Sequence, residues 1–225
     1  MKKLLILILL AICAGGAYFV PQYLQNEKPE TVSYAYGNIP AYNSDQIIVI
    51  NGDETDLYVS EAFKTAKLDD LGRAVGAEAR ITKKSLPRGQ RGSIGHLKPS
   101  GWNQAKYPEI INSEPPYYQN RCHLVCWSSI GDQSNVIENI ISGTRSFNMA
   151  MLEVEKEVLH YVESHPDATV MYRVTPVYTG DNLMANGVYM EARSEDGSFQ
   201  LYRYVYNIED GLEIDYKTGK SRVKN

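Results

Sequence analysis

The spacing of apolar residues changes once along this chain, and that change limits the fold. Met151, Val154, Val158 and Val162 recur at three and four residues, the spacing of one helix face, and Pro166 stops the run. Beyond it, Ala168 to Tyr178, Met184 to Arg193 and Phe199 to Asn207 are strand candidates, joined by the turns Gly180-Asp181-Asn182 and Glu195-Asp196-Gly197. A helix followed by an antiparallel meander predicts an α+β domain. Upstream, Gln46 to Ile50 reads as a strand ending in the Asn51-Gly52 turn, Glu61 to Lys67 as a short helix or turn, and Gly72 to Ile81 as another strand. Tyr117 to Trp127 is a further strand-like segment, followed by a polar loop through Asp132, Gln133, Ser134 and Asn135.

The 225 residues, 43% of them hydrophobic, suffice for one core. The start Met1-Lys2-Lys3 followed by the apolar run Leu4 to Val20 reads as an export signal over residues 1–20. The small residues Ala14 to Ala17 suit a signal peptidase, and the run also reaches the lower limit of a membrane span, so cleaved and anchored forms both stay open. Residues 21–42, rich in Pro, Asn, Gln, Glu and Tyr without periodicity, are expected to form a flexible tether, with the folded domain over 43–225. The protein is thus expected to be secreted or held at the outer face of the cell membrane. Three cysteines, one of them inside the export segment, exclude a disulfide scaffold. Cys122 and Cys126 flank His123 without the spacing or second ligand pair of a zinc site, so buried thiols or one local disulfide are expected.

A formal charge of −4 excludes a generally basic coat for nucleic acid. Between Lys67 and Lys106, however, nine Lys and Arg residues face three acids. The part of this stretch from Lys83 to Pro108 is a long irregular loop with Gly89, Gly92, Gly95 and Gly101, and long loops inside compact domains are usually functional. Trp102 and Tyr107 offer stacking surfaces there. Of the four histidines, His160 and His165 sit near the helix end, where the dipole alone accounts for them. His123 is different, because Arg121 lies two residues before it and a strand puts both side chains on one face. A base beside a permanent cation suits phosphodiester cleavage: the imidazole takes a proton from water and the guanidinium meets the growing negative charge.

The segment Asn120-Arg121-Cys122-His123 resembles the Asp-Arg-Gly-His signature of the DNA/RNA non-specific endonucleases, the ββα-metal nucleases, with Asn and Cys replacing Asp and Gly. Further segments are similar to the exported bacterial DNases of the DNA-entry and streptococcal type. They are Leu68-Asp69-Asp70-Leu71-Gly72-Arg73, the run Gly92 to Trp102, Asn139-Ile140-Ile141-Ser142-Gly143-Thr144-Arg145, and Tyr172-Arg173-Val174-Thr175-Pro176-Val177. The resemblance runs from about Leu68 to Asp215 and implies a ββα-metal core with a mostly antiparallel sheet and flanking helices.

It also implies roles. His123 matches the general base and Asn148 the asparagine that holds one divalent ion, Mg²⁺ or alternatively Mn²⁺. Asn139 resembles a second asparagine near the scissile phosphate, and Glu155 the acid that orients water on the ion, with Glu153 and Glu157 as competitors. Arg121 is implied to stabilise the transition state, with Arg80, Arg91 and Lys98 as phosphate contacts. The substrate implied is DNA, with RNA as an alternative, bound through its backbone and cut to leave 5′-phosphates; no protein partner is implied. Read from the residues alone, Asn148 could simply cap the helix, Glu155 could be an ordinary helix carboxylate and Arg145 an ion-pair partner. Cys122, in place of Gly, is expected to add bulk beside the base. The rival from another class is a catalytically silent, envelope-tethered protein that captures DNA.

Overall fold

A computed structural model describes residues 38–225; the expected export segment and residues 21–37 of the expected tether lie outside the described residues. The predicted meander forms strands β6 (Thr169–Val177), β7 (Gly187–Ser194) and β8 (Gln200–Tyr206), paired antiparallel throughout. Asp196 closes the β7–β8 turn by accepting from the Ser198 amide at 3.1 Å, and Gly197 takes the left-handed φ of +74° that the turn requires. β3 (Ala77–Thr82) pairs with β6, β1 (Ile47–Val49) with β8, and β2 (Phe63–Thr65) with β3. The sheet order is β1-β8-β7-β6-β3-β2. The expectation of a helix or turn at Glu61–Lys67 is therefore corrected to an edge strand. Three residues paired with β3 settle its state, because pairing against a neighbour outweighs the weak local preference of so short a segment.

The helix predicted from Met151 onward begins earlier. After the single-turn helix α1 (Trp127–Ile130), helix α2 spans Arg145–Ser164 and buries Phe147, Ala150, Met151, Val154, Val158 and Val162 against the sheet core. Thr144 caps it: its Oγ1 accepts from the Phe147 amide at 3.0 Å. Asn148 lies inside the first turns, so the capping role considered for it belongs to Thr144 instead. Ser164 ends the helix two residues before Pro166.

β4 (Gln119–His123) and β5 (Ile140–Thr144) form a separate antiparallel hairpin in which Arg121 faces Ser142 and His123 faces Ile140. β5 runs straight into α2, which completes a strand–strand–helix unit. Gly143 permits the close fit at this corner, since a Cβ there would collide with the Phe147 ring and lie 2.5 Å from Cys122 Sγ. A last hairpin, β9 (Leu212–Asp215) with β10 (Lys220–Val223), braces the segment ahead of β4 through Tyr107, whose hydroxyl donates to the Ser221 carbonyl at 2.6 Å. At the other end of the described chain, Tyr189 donates to the Asn38 carbonyl at 2.6 Å and Tyr206 to that of Pro40 at 3.0 Å.

Candidate active site

Strand alternation sorts the residues of β4. Cys122 goes into the core with Phe147 and is fully buried, whereas Arg121 and His123 face a cavity of about 400 Å³. The bulk expected beside the base therefore lies on the opposite face of the strand. α2 forms the other wall. Asn148 and Glu155 lie seven residues apart, two turns along one helix face, and both line the cavity with Arg145 at the helix start. The long loop adds Arg91. One cavity thus collects His123, Arg121, Asn148, Glu155 and Arg91.

His123 is buried, and its two ring nitrogens have different partners. Nδ1 lies 3.1 Å from Arg91 Nη2, and Nε2 lies 3.0 Å from Asn135 Oδ1. A guanidinium only donates, so Nδ1 accepts and Nε2 carries the proton given to Asn135. Burial, with a smaller contribution from the Arg91 charge, lowers the pKa of His123 to about 4, while the Asn135 hydrogen bond opposes that shift. The imidazole is therefore neutral near pH 7, the form a general base needs.

Glu155 is buried and its pKa is raised to about 7, chiefly by burial; a hydrogen bond with Cys126 and the Arg91 charge pull it down. Cys122 and Cys126 are free thiols pushed up by burial and by the neighbouring Glu155 carboxylate, which leaves them poor nucleophiles. The cavity suits a hard divalent ion. Asn148 lines it with a side-chain amide that makes no hydrogen bond within the described residues, and Glu155 adds the one carboxylate. No group of three or more His, Cys, Asp or Glu that could hold a metal occurs among the described residues, so an ion here would keep most of its water shell, as Mg²⁺ does.

Three residues expected at the site lie elsewhere. Asn139 is fully buried and spends its amide on the backbone, donating to the Val125 and Ser134 carbonyls at 2.9 Å each and accepting from the Val125 amide at 3.0 Å. It braces the loop between β4 and β5. Arg80 pairs with Glu195 and donates to the Val59 carbonyl at 2.9 Å, and Lys98 is exposed outside the cavity. The stacking surfaces expected of Trp102 and Tyr107 are also taken: Arg121 lies 4.1 Å over the Trp102 ring, and Tyr107 packs edge-on to Tyr118. Arg121 itself donates to the Leu97 and Gly95 carbonyls, so it ties the long loop to the cavity rim.

Two residues of the cavity wall escaped the sequence reading as site groups. Arg145 forms no ion pair with any described acid, although a cation in the first turn of a helix opposes the helix dipole; that misfit was the available signal. Asn120 has a buried side-chain nitrogen with no hydrogen-bond partner, a donor suited to a phosphate oxygen or water in the cavity.

A histidine at a strand end facing an asparagine on the helix of the same strand–strand–helix unit defines the ββα-metal class of nuclease fold. The sequence model of the DNA/RNA non-specific endonucleases matches residues 55–196, and the chain belongs to that family. A deoxyribonuclease of Streptococcus dysgalactiae subsp. equisimilis is 30% identical, over 68% of this chain and 58% of that relative's length. Among solved structures, NucA from Streptococcus agalactiae with magnesium bound superposes with a TM-score of 0.71 at 22% identity, over 84% of this chain and 91% of that one. The Sda1 nuclease with bound zinc gives 0.61 at 25% identity, over 72% and 81%.

Proposed function

We propose that this chain is an exported, Mg²⁺-dependent endonuclease that hydrolyses phosphodiester bonds of DNA, with RNA as the alternative substrate, and leaves 5′-phosphate ends. The observation that carries this reading is the convergence of neutral His123, the unspent amide of Asn148, the Glu155 carboxylate and three arginines on one cavity. Export rests on Lys2, Lys3 and the apolar run Leu4 to Val20, with release and membrane attachment both compatible with it.

His123 Nδ1 takes a proton from the attacking water. In the free protein that lone pair accepts from Arg91, so Arg91 must first move onto another acceptor, and a phosphate oxygen is the stronger one. Substrate binding thereby uncovers the base. Arg145 and Arg121 face the charge that grows on the phosphate, and Asn120 offers a neutral donor beside them. Asn148 and Glu155 would hold Mg²⁺, which supplies charge stabilisation for the phosphate and the leaving 3′ oxygen. Three arginines on the cavity wall fit recognition of the phosphate backbone and a steep loss of activity as salt rises.

Plasmid incubated with Mg²⁺, with Mg²⁺ plus EDTA, and with the His123→Ala variant tests the reading. Fragmentation is expected only with wild type and free Mg²⁺, the variant losing roughly 10²- to 10⁴-fold in rate. Metal-dependent cutting that survives His123→Ala unchanged dismisses the mechanism, and binding without cutting by wild type supports a silent DNA-capture protein.

A further inference from the structure

The His123 ring separates two environments. Its Nδ1 edge meets Arg91 on the cavity wall, and its Nε2 edge meets Asn135, which does not line the cavity. An amide beside a ring N–H can present either its oxygen or its nitrogen, and nothing within Asn135 decides which. Asp132 decides it. Asn135 Nδ2 donates to Asp132 Oδ1 at 3.1 Å, and the same oxygen accepts from Trp127 Nε1 at 2.8 Å. A carboxylate oxygen and an indole N–H each have one role only, so every link of the chain has a forced direction. The donors of Arg91, His123, Asn135 and Trp127 all run toward Asp132.

We infer that Asn135 and Asp132 are positioning residues for the general base, holding His123 in its Nε2–H form so that the Nδ1 lone pair stays on the cavity side. The inference rests on His123 acting as the base, and it names what fixes the ring. A carboxylate anchoring an amide that anchors the imidazole does in two steps what a directly bonded carboxylate does in one. Asp132→Ala removes the acceptor that orders Asn135, whereas Asp132→Asn would keep an oxygen in place because the Trp127 N–H still requires one there. In Asp132→Ala, Asn135 is free to turn over and offer Nδ2 to the ring, which moves the proton to Nδ1 once Arg91 has left that edge, and removes the base.

The test is ¹⁵N NMR of the histidine rings in the full chain carrying Arg91→Ala, so that the Asn135 side alone sets the ring, assigned with His123→Ala, alongside steady-state kinetics with Arg91 intact. With Asp132 in place His123 is expected to be Nε2–H. Asp132→Ala is expected to populate the Nδ1–H form and to lose roughly 10- to 100-fold in kcat with KM little changed. The double variant Asp132→Ala with Asn135→Asp presents an oxygen to Nε2 whichever way residue 135 turns, so the Nε2–H form and most of kcat should return. A ring protonated at Nδ1 with Asp132 in place, an Asp132→Ala ring that remains Nε2–H whatever its rate, or a double variant that recovers neither property overturns the inference. A ring that changes form while kcat stays constant supports the positioning and instead removes His123 as the base.

Discussion

The six-stranded sheet and the cavity spend their charges differently. On and around the sheet, four arginines are matched to acids, Arg173 to Glu78 at 2.9 Å, Arg73 to Asp69 at 2.6 Å, Arg80 to Glu195 and Arg203 to Asp53, with Arg193 of β7 the exception. Around the cavity, Arg91, Arg121 and Arg145 form no ion pair among the described residues, and Asn148 makes no hydrogen bond. A paired cation is neutralised and held still, whereas unpaired cations around a concave surface leave a positive potential for a phosphate to meet. Three unpaired cations gathered around one concavity therefore set the candidate site apart from the sheet.

The two asparagines of the family resemblance give the sharpest test of that contrast. Asn148→Ala removes a group the fold does not use, so the unfolding midpoint should match wild type while activity falls on the order of 10²- to 10³-fold, from lost charge stabilisation. Asn139→Ala should behave in the opposite way. It leaves two buried carbonyls and one buried amide without partners, at roughly 1–3 kcal/mol for each group that water cannot reach. Urea unfolding and plasmid cutting on both variants measure this; equal loss of stability from the two substitutions would erase the distinction drawn here.

Much of this arrangement was legible in the residues because periodicity reports burial. The helix face of Met151, Val154, Val158 and Val162 and the three strands after Pro166 emerge close to their expected bounds. β5 was not legible: all five of its residues are buried, so no alternation marks them, and it gives way directly to α2. β2 and the β9–β10 hairpin depend on pairing partners rather than local pattern. At the site, His123 and Arg121 could be found because alternation places them together, and Asn148 and Glu155 because seven residues make two turns. Asn139 misled, since its sequence neighbours resemble a site while its amide completes a buried loop. The link from His123 through Asn135 to Asp132 was not legible, because it lies in the direction of two hydrogen bonds.

Glu155 sharpens the comparison through pH, since it is a carboxylate buried beside the cavity and not paired on the surface. Its pKa lies at about 7 against an ordinary 4.5, so the folded state holds the proton longer than the unfolded state does. Stability should therefore fall as pH rises from about 4.5 to about 7, by up to about 3 kcal/mol at 1.36 kcal/mol per pH unit. His123 acts in the other direction. Its lowered pKa makes stability fall as pH drops from about 6.5 to about 4, but that contribution is shared by wild type and Glu155→Gln and cancels between them. In EDTA, Glu155→Gln should melt near wild type at pH 4.5 and above it at pH 8. Two parallel melting curves across that range would show that the carboxylate is not held in a low-dielectric site.

The smallest effect expected separates two arginines that look alike in sequence. Arg80 and Arg145 are both half-exposed cations, but Arg80 is matched to Glu195 and the Val59 carbonyl, whereas Arg145 stands on the cavity wall at the start of α2. Replacing Arg80 by Ala removes an exposed pair, generally about 0–1 kcal/mol, and leaves the cavity unchanged, so kcat/KM should stay within about twofold. Replacing Arg145 by Ala removes a repulsive contact with the helix dipole, worth about 0.3–1 kcal/mol, and should raise stability slightly. The same change withdraws a charge-assisted contact to phosphate, generally about 1.5–3 kcal/mol, so kcat/KM should fall by about 10- to 100-fold. Gaining stability while losing activity is the pattern of a residue kept for substrate. Loss of the salt dependence of KM by about one phosphate contact would accompany it, and an Arg145→Ala enzyme with the wild-type salt slope would place the phosphate on another wall of the cavity.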